Sequence, residues 1–163
     1  MDLALLGESA FATRWEEMVN CKKRFLLTGE DPRNSPYMRP EIAESWIRSK
    51  SFGVDPYMKK FPKMPSENFK NSIDANQLLI DTALPLINTF SHLLNVSGYI
   101  VALHANDCSL LYLEGDKVAA SSFKSFFAMA GAEGSEQAIG TTAHSLSMRL
   151  KKPVQLLGPE NYC

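Results

Sequence analysis

The chain has 163 residues, of which 45% are hydrophobic and 21% charged, a size and balance that fit one globular domain with a helical extension. Its 17 basic and 18 acidic side chains leave a net charge of -1, which disfavours direct binding to nucleic acid. The three cysteines form no CxxC pair, and no signal peptide or run of roughly 18 apolar residues is visible, so a cytoplasmic protein without a membrane partner is expected.

Two helices are predicted in the first third of the chain. Apolar residues recur at steps of three and four over residues 11–27, and Gly29 follows as a helix end. A second helix begins at Pro40, whose missing N–H would be unpaired there anyway, and ends at Gly53, which adopts left-handed backbone angles easily. The proline- and lysine-rich residues 56–65 support neither a helix nor a central strand and are interpreted as a connector.

A long helix, or two helices in series, is predicted from Ser66 or Asn68 onward, with a kink or a break at Pro85. Its apolar residues form two stripes. One stripe, through Ile80 and Ile87, is expected to face the sheet. The other consists of three leucines at seven-residue spacing, Leu79, Leu86 and Leu93. This second stripe is expected to face a partner, so a homodimer is predicted.

Two strands joined by a tight turn are predicted at residues 98–104 and 108–113, which are rich in β-branched, aromatic and other apolar residues. Both faces of the first strand are apolar, so both are expected to be covered. A short helix around Phe123 is expected to pack on the sheet, Thr141 is predicted as the N-cap of another helix, and residues 154–157 as a last strand. Sequential strands separated by helices indicate an α+β fold with a largely antiparallel sheet.

Several short motifs follow one another in a fixed order. They are IAESWIRS at 42–49, GVDP at 53–56, GD at 115–116, SE at 135–136, IGTTA at 139–143, PV at 153–154 and GPE at 158–160. Together they resemble the amino-terminal sensor of acetoin- and glycerol-metabolism regulators, which are sigma-54-dependent transcriptional activators. In that family a SWxRS helix and a GVDP turn precede a GAF domain that senses a small effector.

The resemblance implies an amino-terminal helical extension and connector at residues 1–65 and a GAF-like sensor domain at residues 66–163. The sheet of that domain would be completed by strands beyond Cys163. An AAA+ ATPase acting on sigma-54 RNA polymerase and a DNA-binding helix-turn-helix would lie outside this chain. The implied protein is a regulator with a small-molecule effector, no cofactor and no catalytic residue. Trp46 and Arg48 of the SWIRS helix would build the dimer or relay its state, or Trp46 would only anchor the helix.

The candidate effector site lies over the predicted sheet. Phe123 and Phe127 would line an apolar pocket there, although core packing explains them equally well. Thr141 and Thr142, at a helix start, would hold a ligand carboxylate or hydroxyl, or would simply cap the helix. The full candidate set is Tyr99, Phe123, Phe127, Glu133, Ser135, Glu136, Thr141, Thr142 and His144.

Catalytic and metal-binding alternatives have weaker signals. His104 and Cys108 are four residues apart, but no further ligand follows nearby, so no metal site is predicted. Ser135 and His144 lie in no GxSxG motif. The glycine-containing runs at 131–134 and 140–142 do not end in GKS or GKT, as a phosphate-binding loop would.

Two other functions stay open. One is a GAF-type methionine sulfoxide reductase using clustered cysteines, and the other is a ligand-free structural dimerisation domain.

Overall fold

The computed structural model describes residues 8–126 and 131–163 of the chain. These residues form seven α-helices and a two-stranded antiparallel sheet, which agrees in coarse terms with the predicted α+β class. The helices are α1 (Glu8–Thr28), α2 (Pro40–Ser51), α3 (Ser66–Ala75), α4 (Gln77–Leu93), α5 (Lys117–Phe126), α6 (Glu136–Ile139) and α7 (Ala143–Leu150). The strands are β1 (Ile100–His104) and β2 (Leu110–Gly115), and short 3-10 helices lie at Pro32–Asn34 and Gly158–Glu160.

The chain divides into two compact units. The first contains the residues up to Pro56 together with Gly140–Cys163, and the second is Tyr57–Ile139. The first unit is therefore discontinuous in sequence. The functional division after residue 65 that the resemblance implies stays a prediction. Within the described residues, no helix is long and apolar enough to cross a membrane.

Helices α1 and α2 supply much of the core of the first unit. Met18 and Phe25 are buried on one side of α1, and the Phe25 ring stacks on Trp46 of α2 with centroids 5.8 Å apart. Pro40 occupies the first turn of α2, and Gly53 follows its end with a φ of 75°, both as predicted. Local start and stop signals therefore define α2 correctly.

The predicted long helix is two helices in series, but they separate at Asn76 and not at Pro85. Asn76 has a φ of -109°, and its side-chain amide donates to the backbone of the preceding turn at 2.8 Å, which ends α3. Pro85 lies on an exposed side of α4, where the carbonyl that loses its helical hydrogen bond can meet water. The predicted caps Ser66 and Asn68 are also wrong, since Pro65 holds the N-cap position.

The strands β1 and β2 form a hairpin in the second unit. Ile100 pairs with Gly115 and Leu103 with Tyr112, and the register shifts after Leu103. The prediction that both faces of β1 are covered is wrong at Ala102, which is exposed. Its side chain is a single methyl group, so leaving it in water costs little free energy.

A third chain segment, residues 131–134, lies beside the start of β2 and pairs with its neighbours through isolated bridges. The Leu110 N–H donates to the Ala132 carbonyl at 3.0 Å. On its other side the segment contacts the proline-rich connector, where the Glu133 N–H donates to the Pro62 carbonyl at 2.9 Å. Proline lacks a backbone donor, so it is tolerated at such an edge. The connector thus covers the outer side of residues 131–134.

The core of the second unit lies between the hairpin and α5. Phe123 of α5 packs against this cluster, which confirms the predicted short helix on the sheet. The buried members are Leu110, Leu113, Ala120 and Ala132, and Phe61, Ile100 and Phe123 pack on them.

The predicted strand at residues 154–157 is absent, and this stretch is irregular. Side chains bind the backbone groups that a strand would pair. The Gln155 carbonyl accepts a hydrogen bond from the Arg39 guanidinium at 2.6 Å, and the Leu157 N–H donates to the Glu160 carboxylate at 2.8 Å. Three apolar residues out of four therefore predicted the wrong element, because the bond from Arg39, 116 positions away, is invisible in the sequence.

Candidate functional site

Three of the motifs that carry the family resemblance, SWIRS, IGTTA and GPE, meet in the first unit. Ser45 and Ser49 of the SWIRS motif lie one turn apart on α2, and their hydroxyls are 2.7 and 3.3 Å from the hydroxyl of Thr141 in the IGTTA motif. All three residues are fully buried. Buried hydroxyls need hydrogen-bond partners, and here they satisfy one another. This hydroxyl cluster joins α2 to the residues just before α7.

Glu160 of the GPE motif is the centre of a buried ion-pair network. Its carboxylate accepts hydrogen bonds from Arg14 Nη2 at 3.1 Å and Arg39 Nη2 at 2.8 Å, and its side chain is 0% exposed. Trp46 of the SWIRS motif donates from Nε1 to the Glu160 carbonyl at 2.8 Å. Two guanidinium groups and the backbone donor described above offset the cost of burying this carboxylate. We call these residues the Glu160 network.

Gly140 brings the two clusters close together. Its φ is 75°, and a Cβ at this position would lie 2.6 Å from the Cβ of Tyr162. Tyr162 is buried, and its N–H donates to the Thr141 carbonyl at 3.0 Å. Both the backbone angle and the contact with Tyr162 therefore require glycine here.

The N-cap of α7 is Thr142, one residue after the predicted Thr141. Thr142 Oγ1 accepts from the Ser145 N–H at 3.2 Å, and Ser145 Oγ accepts from the Thr142 N–H at 3.1 Å. This reciprocal pair is a capping box. His144 Nε2 lies 3.1 Å from Thr142 Oγ1, so the second threonine and the histidine are neighbours. Thr141 cannot serve as the cap because its hydroxyl faces α2.

The second unit contains the candidate residues of the sheet region. Phe123 contributes to the apolar cluster under α5, and Glu133 lies half-buried on the segment beside β2. Tyr99 is 68% exposed, so its ring lies largely on the surface. Phe127 lies outside the described residues.

Ser135 and Glu136 form the start of α6. The Ser135 hydroxyl accepts from the Ala138 N–H at 3.2 Å, which is a capping contact. Glu136 is the first residue of the helix and is half-buried. Tyr99, Phe123, Glu133, Ser135 and Glu136 thus belong to the second unit, whereas Thr141, Thr142 and His144 belong to the first.

The candidate relay residues differ in exposure. Trp46 is fully buried and Arg48 is half-buried, both within the first unit. On α4, the three leucines of the second stripe are exposed by 43, 61 and 74%, for Leu79, Leu86 and Leu93 in that order.

Arg14, Arg39 and Glu160 did not figure in the predicted site. The sequence held one signal, since Glu160 lies in a motif that follows the SWIRS helix in a fixed order. No sequence signal linked the arginines to Glu160, because Arg14, for example, is 146 positions away from it. Only the fold brings these charges together.

The hairpin turn contains the histidine and the cysteine considered as metal ligands. The Cys108 carbonyl, 3.1 Å from His104 Nδ1, can only accept, so the proton resides on Nδ1. Burial lowers the pKa of His104, and this effect outweighs the hydrogen bond. Across residues 8–126 and 131–163, no three His, Cys, Asp or Glu side chains are grouped so as to hold a metal ion.

Two of the thiols are poor nucleophiles. Burial raises the pKa of Cys21, and it raises the pKa of Cys163 to about 11. Since the thiolate is the reactive form, both cysteines are protonated near neutral pH. Cys108, the third cysteine, is buried at the hairpin turn.

The chain is similar to one transcriptional activator and to one uncharacterised protein. The chain is 28% identical over 141 residues to the acetoin dehydrogenase operon transcriptional activator AcoR of Bacillus subtilis (strain 168), covering 86% of the chain and 23% of that protein. It is 27% identical over 141 residues to an uncharacterized 47.3 kDa protein in the thcA 5′ region of Rhodococcus erythropolis. This match covers 83% of the chain and 31% of that protein. The chain therefore spans less than a third of either relative. No family model and no solved structure matches it.

Proposed function

We propose that this chain is the small-molecule-sensing regulatory part of a sigma-54-dependent transcriptional activator. The observation that carries the proposal is the similarity to the activator AcoR over 86% of the chain. The contacts among the SWIRS, IGTTA and GPE motifs around Thr141 and Glu160 support it, because residues on which the family resemblance rests bind one another in the folded chain. The activity would then belong to an ATPase and a DNA-binding domain outside this chain, in the cytoplasm.

The effector site is proposed in a GAF-like domain over the hairpin. Phe123 supplies an apolar surface there, and the carboxylates of Glu133 and Glu136 and the hydroxyl of Ser135 are the polar groups that would orient a small polar effector. Such a ligand regulates only if it prefers one of two conformations, because differential affinity shifts their populations. Trp46 and Arg48 are proposed to relay that shift through a homodimer.

The enzymatic alternative draws no support from the thiols. A reductase of the methionine sulfoxide type needs a reactive thiolate, whereas burial keeps Cys21 and Cys163 protonated. The alternative of a ligand-free dimerisation domain differs from the proposal in one measurable respect. It predicts that no small molecule changes the stability of the chain.

The test is thermal unfolding of the purified chain against small alcohols, diols, ketones, carboxylates and amino acids. A compound that binds only the folded state at about 100 times its dissociation constant adds roughly 2.7 kcal/mol to the free energy of unfolding. We expect one chemical class to raise the melting temperature. Glu133→Gln should reduce that rise, whereas Glu67→Gln, an exposed change on α3, should preserve it. A panel without any shift would favour the structural domain.

A further inference from the structure

We propose that an exposed apolar stripe on α4 pairs two copies of this chain around Leu86. The stripe consists of four side chains on one side of the helix, and we call it the α4 stripe: Leu79, Leu86, Phe90 and Leu93. The inference deepens the proposed function, on which it rests for the homodimer itself, by naming the surface and the arrangement of the two subunits.

The α4 stripe is separate from the face that α4 buries. Ile87 is 6% exposed and belongs to the side of the helix that packs on the hairpin. Leu79, Leu86 and Leu93 recur every seven residues, and Phe90 lies one turn from Leu86. Such a spacing keeps large side chains in line along a helix, as in the seam between two paired helices.

The exposed area is large for a surface that contacts only water. The four side chains are between 43 and 74% exposed. Together they present on the order of 400 Å² of apolar surface, the size of the largest patch on a typical monomer, which is often a functional surface. A standard interface buries about 800 Å² per partner, so the stripe would form the apolar centre of a small interface. We therefore expect a dimer that dissociates on dilution.

The charges on α4 favour a second copy over a membrane or a nucleic acid. Residues 71–116 contain no lysine and no arginine, which are the residues that attract a helix to an anionic membrane or a nucleic acid. The only acidic residue of α4 is Asp81, which lies away from the α4 stripe. Two copies can therefore meet through this stripe without bringing like charges together.

The position of Leu86 in the α4 stripe suggests the centre of the contact. Leu86 lies seven positions from both Leu79 and Leu93. An isologous contact pairs the same surface of both subunits. In an antiparallel crossing, Leu86 would lie on the two-fold axis beside the partner's Leu86, and Leu79 would face the partner's Leu93.

The first experiment measures the mass of the chain by sedimentation at increasing concentration. We expect the wild type to dimerise and Leu86→Glu to remain monomeric at every concentration. The matched control is Leu78→Glu, which introduces the same charge on the same helix at a residue that is 81% exposed and outside the stripe. A monomeric wild type, or equal effects of the two changes, would overturn the proposal.

A second experiment tests whether Leu86 of one subunit lies beside Leu86 of the other. In a Cys163→Ser background, where Cys21 and Cys108 are buried, Leu86→Cys should form a disulfide-linked dimer and Leu78→Cys should not. Equal cross-linking at both positions would contradict pairing about Leu86. Failure of effector binding would leave both results unchanged, so the dimer surface and the sensing function are tested separately.

Discussion

Glu160 connects three parts of the chain through one carboxyl group and one carbonyl. Arg14 lies in α1, Arg39 is the residue just before α2, and Trp46 lies in α2. A buried carboxylate is stable only while its charge is balanced, so each partner depends on the others. The short GPE motif is therefore a tertiary anchor for the amino-terminal helices.

We expect Glu160→Gln to reduce the free energy of unfolding by about 3–5 kcal/mol, because the buried guanidinium of Arg14 loses its counter-charge. Urea denaturation monitored by circular dichroism gives this value. The control is Glu30→Gln, which breaks the exposed ion pair with Arg24 and should change the midpoint little. If Glu160→Gln lowered the free energy of unfolding as little as Glu30→Gln does, the network would not be stabilising.

His104 should make stability depend on pH. Its pKa in the folded chain is below the ordinary value of 6.5, so the unfolded chain binds the proton first as the pH falls. The free energy of unfolding should therefore decrease below about pH 6.5. His104→Gln should have a shallower decrease between pH 7 and 5.5, measured by urea denaturation. His92→Gln, at an exposed position, should keep the wild-type slope.

At the scale of elements, the sequence predicted what local signals control. The helices α1 and α2, the hairpin and the helix carrying Phe123 lie where periodicity, caps and β-branched runs indicated them. The errors occur where one particular side chain binds the backbone, which propensity and periodicity do not reveal. Residues 154–157 are irregular because Arg39 and Glu160 bind their backbone. The break at Asn76 depends on a side-chain bond to the backbone.

The candidate site was predictable only in part. The motifs with Trp46, Thr141 and Glu160 indicated importance by their order, yet their contacts with one another were invisible in the sequence. Thr141 illustrates the limit. A threonine before a helix suggests a cap, whereas the fold buries this hydroxyl against Ser45 and Ser49. Helix-capping propensity suggests what a threonine can do at this position, but it does not show which groups its hydroxyl binds.

Two glycines with the same backbone angle offer a controlled test of packing. Gly53 and Gly140 both have a φ of 75°, but a Cβ at Gly53 would have nothing within 4 Å, whereas one at Gly140 would collide with Tyr162. Gly53→Ala should cost roughly 1–2 kcal/mol from the backbone alone. Gly140→Ala should cost clearly more, as measured by thermal unfolding. Equal costs would mean that the Tyr162 ring moves aside freely.

At the scale of the whole molecule, the two compact units predict two patterns of hydrogen exchange. Helices α1 and α2 share the first unit with Gly140–Cys163, so their amides should gain exchange together when the Glu160 network is weakened. In Glu160→Gln, we expect faster exchange in these segments and little change in β1 and β2. Mass spectrometry of deuterated peptides measures this. A uniform rise across the chain would indicate a single cooperative unit.

The discontinuity of the first unit has a consequence for protein synthesis. A chain leaves the ribosome from its amino terminus at about 5–20 residues per second. Helices α1 and α2 emerge early, but Thr141 and Glu160, which hold them, are made only after the whole of Tyr57–Ile139. The buried sides of Phe25 and Trp46 must wait for several seconds without their final neighbours. During that interval they are natural targets for chaperones, and translation pauses before residue 160 would prolong the exposure.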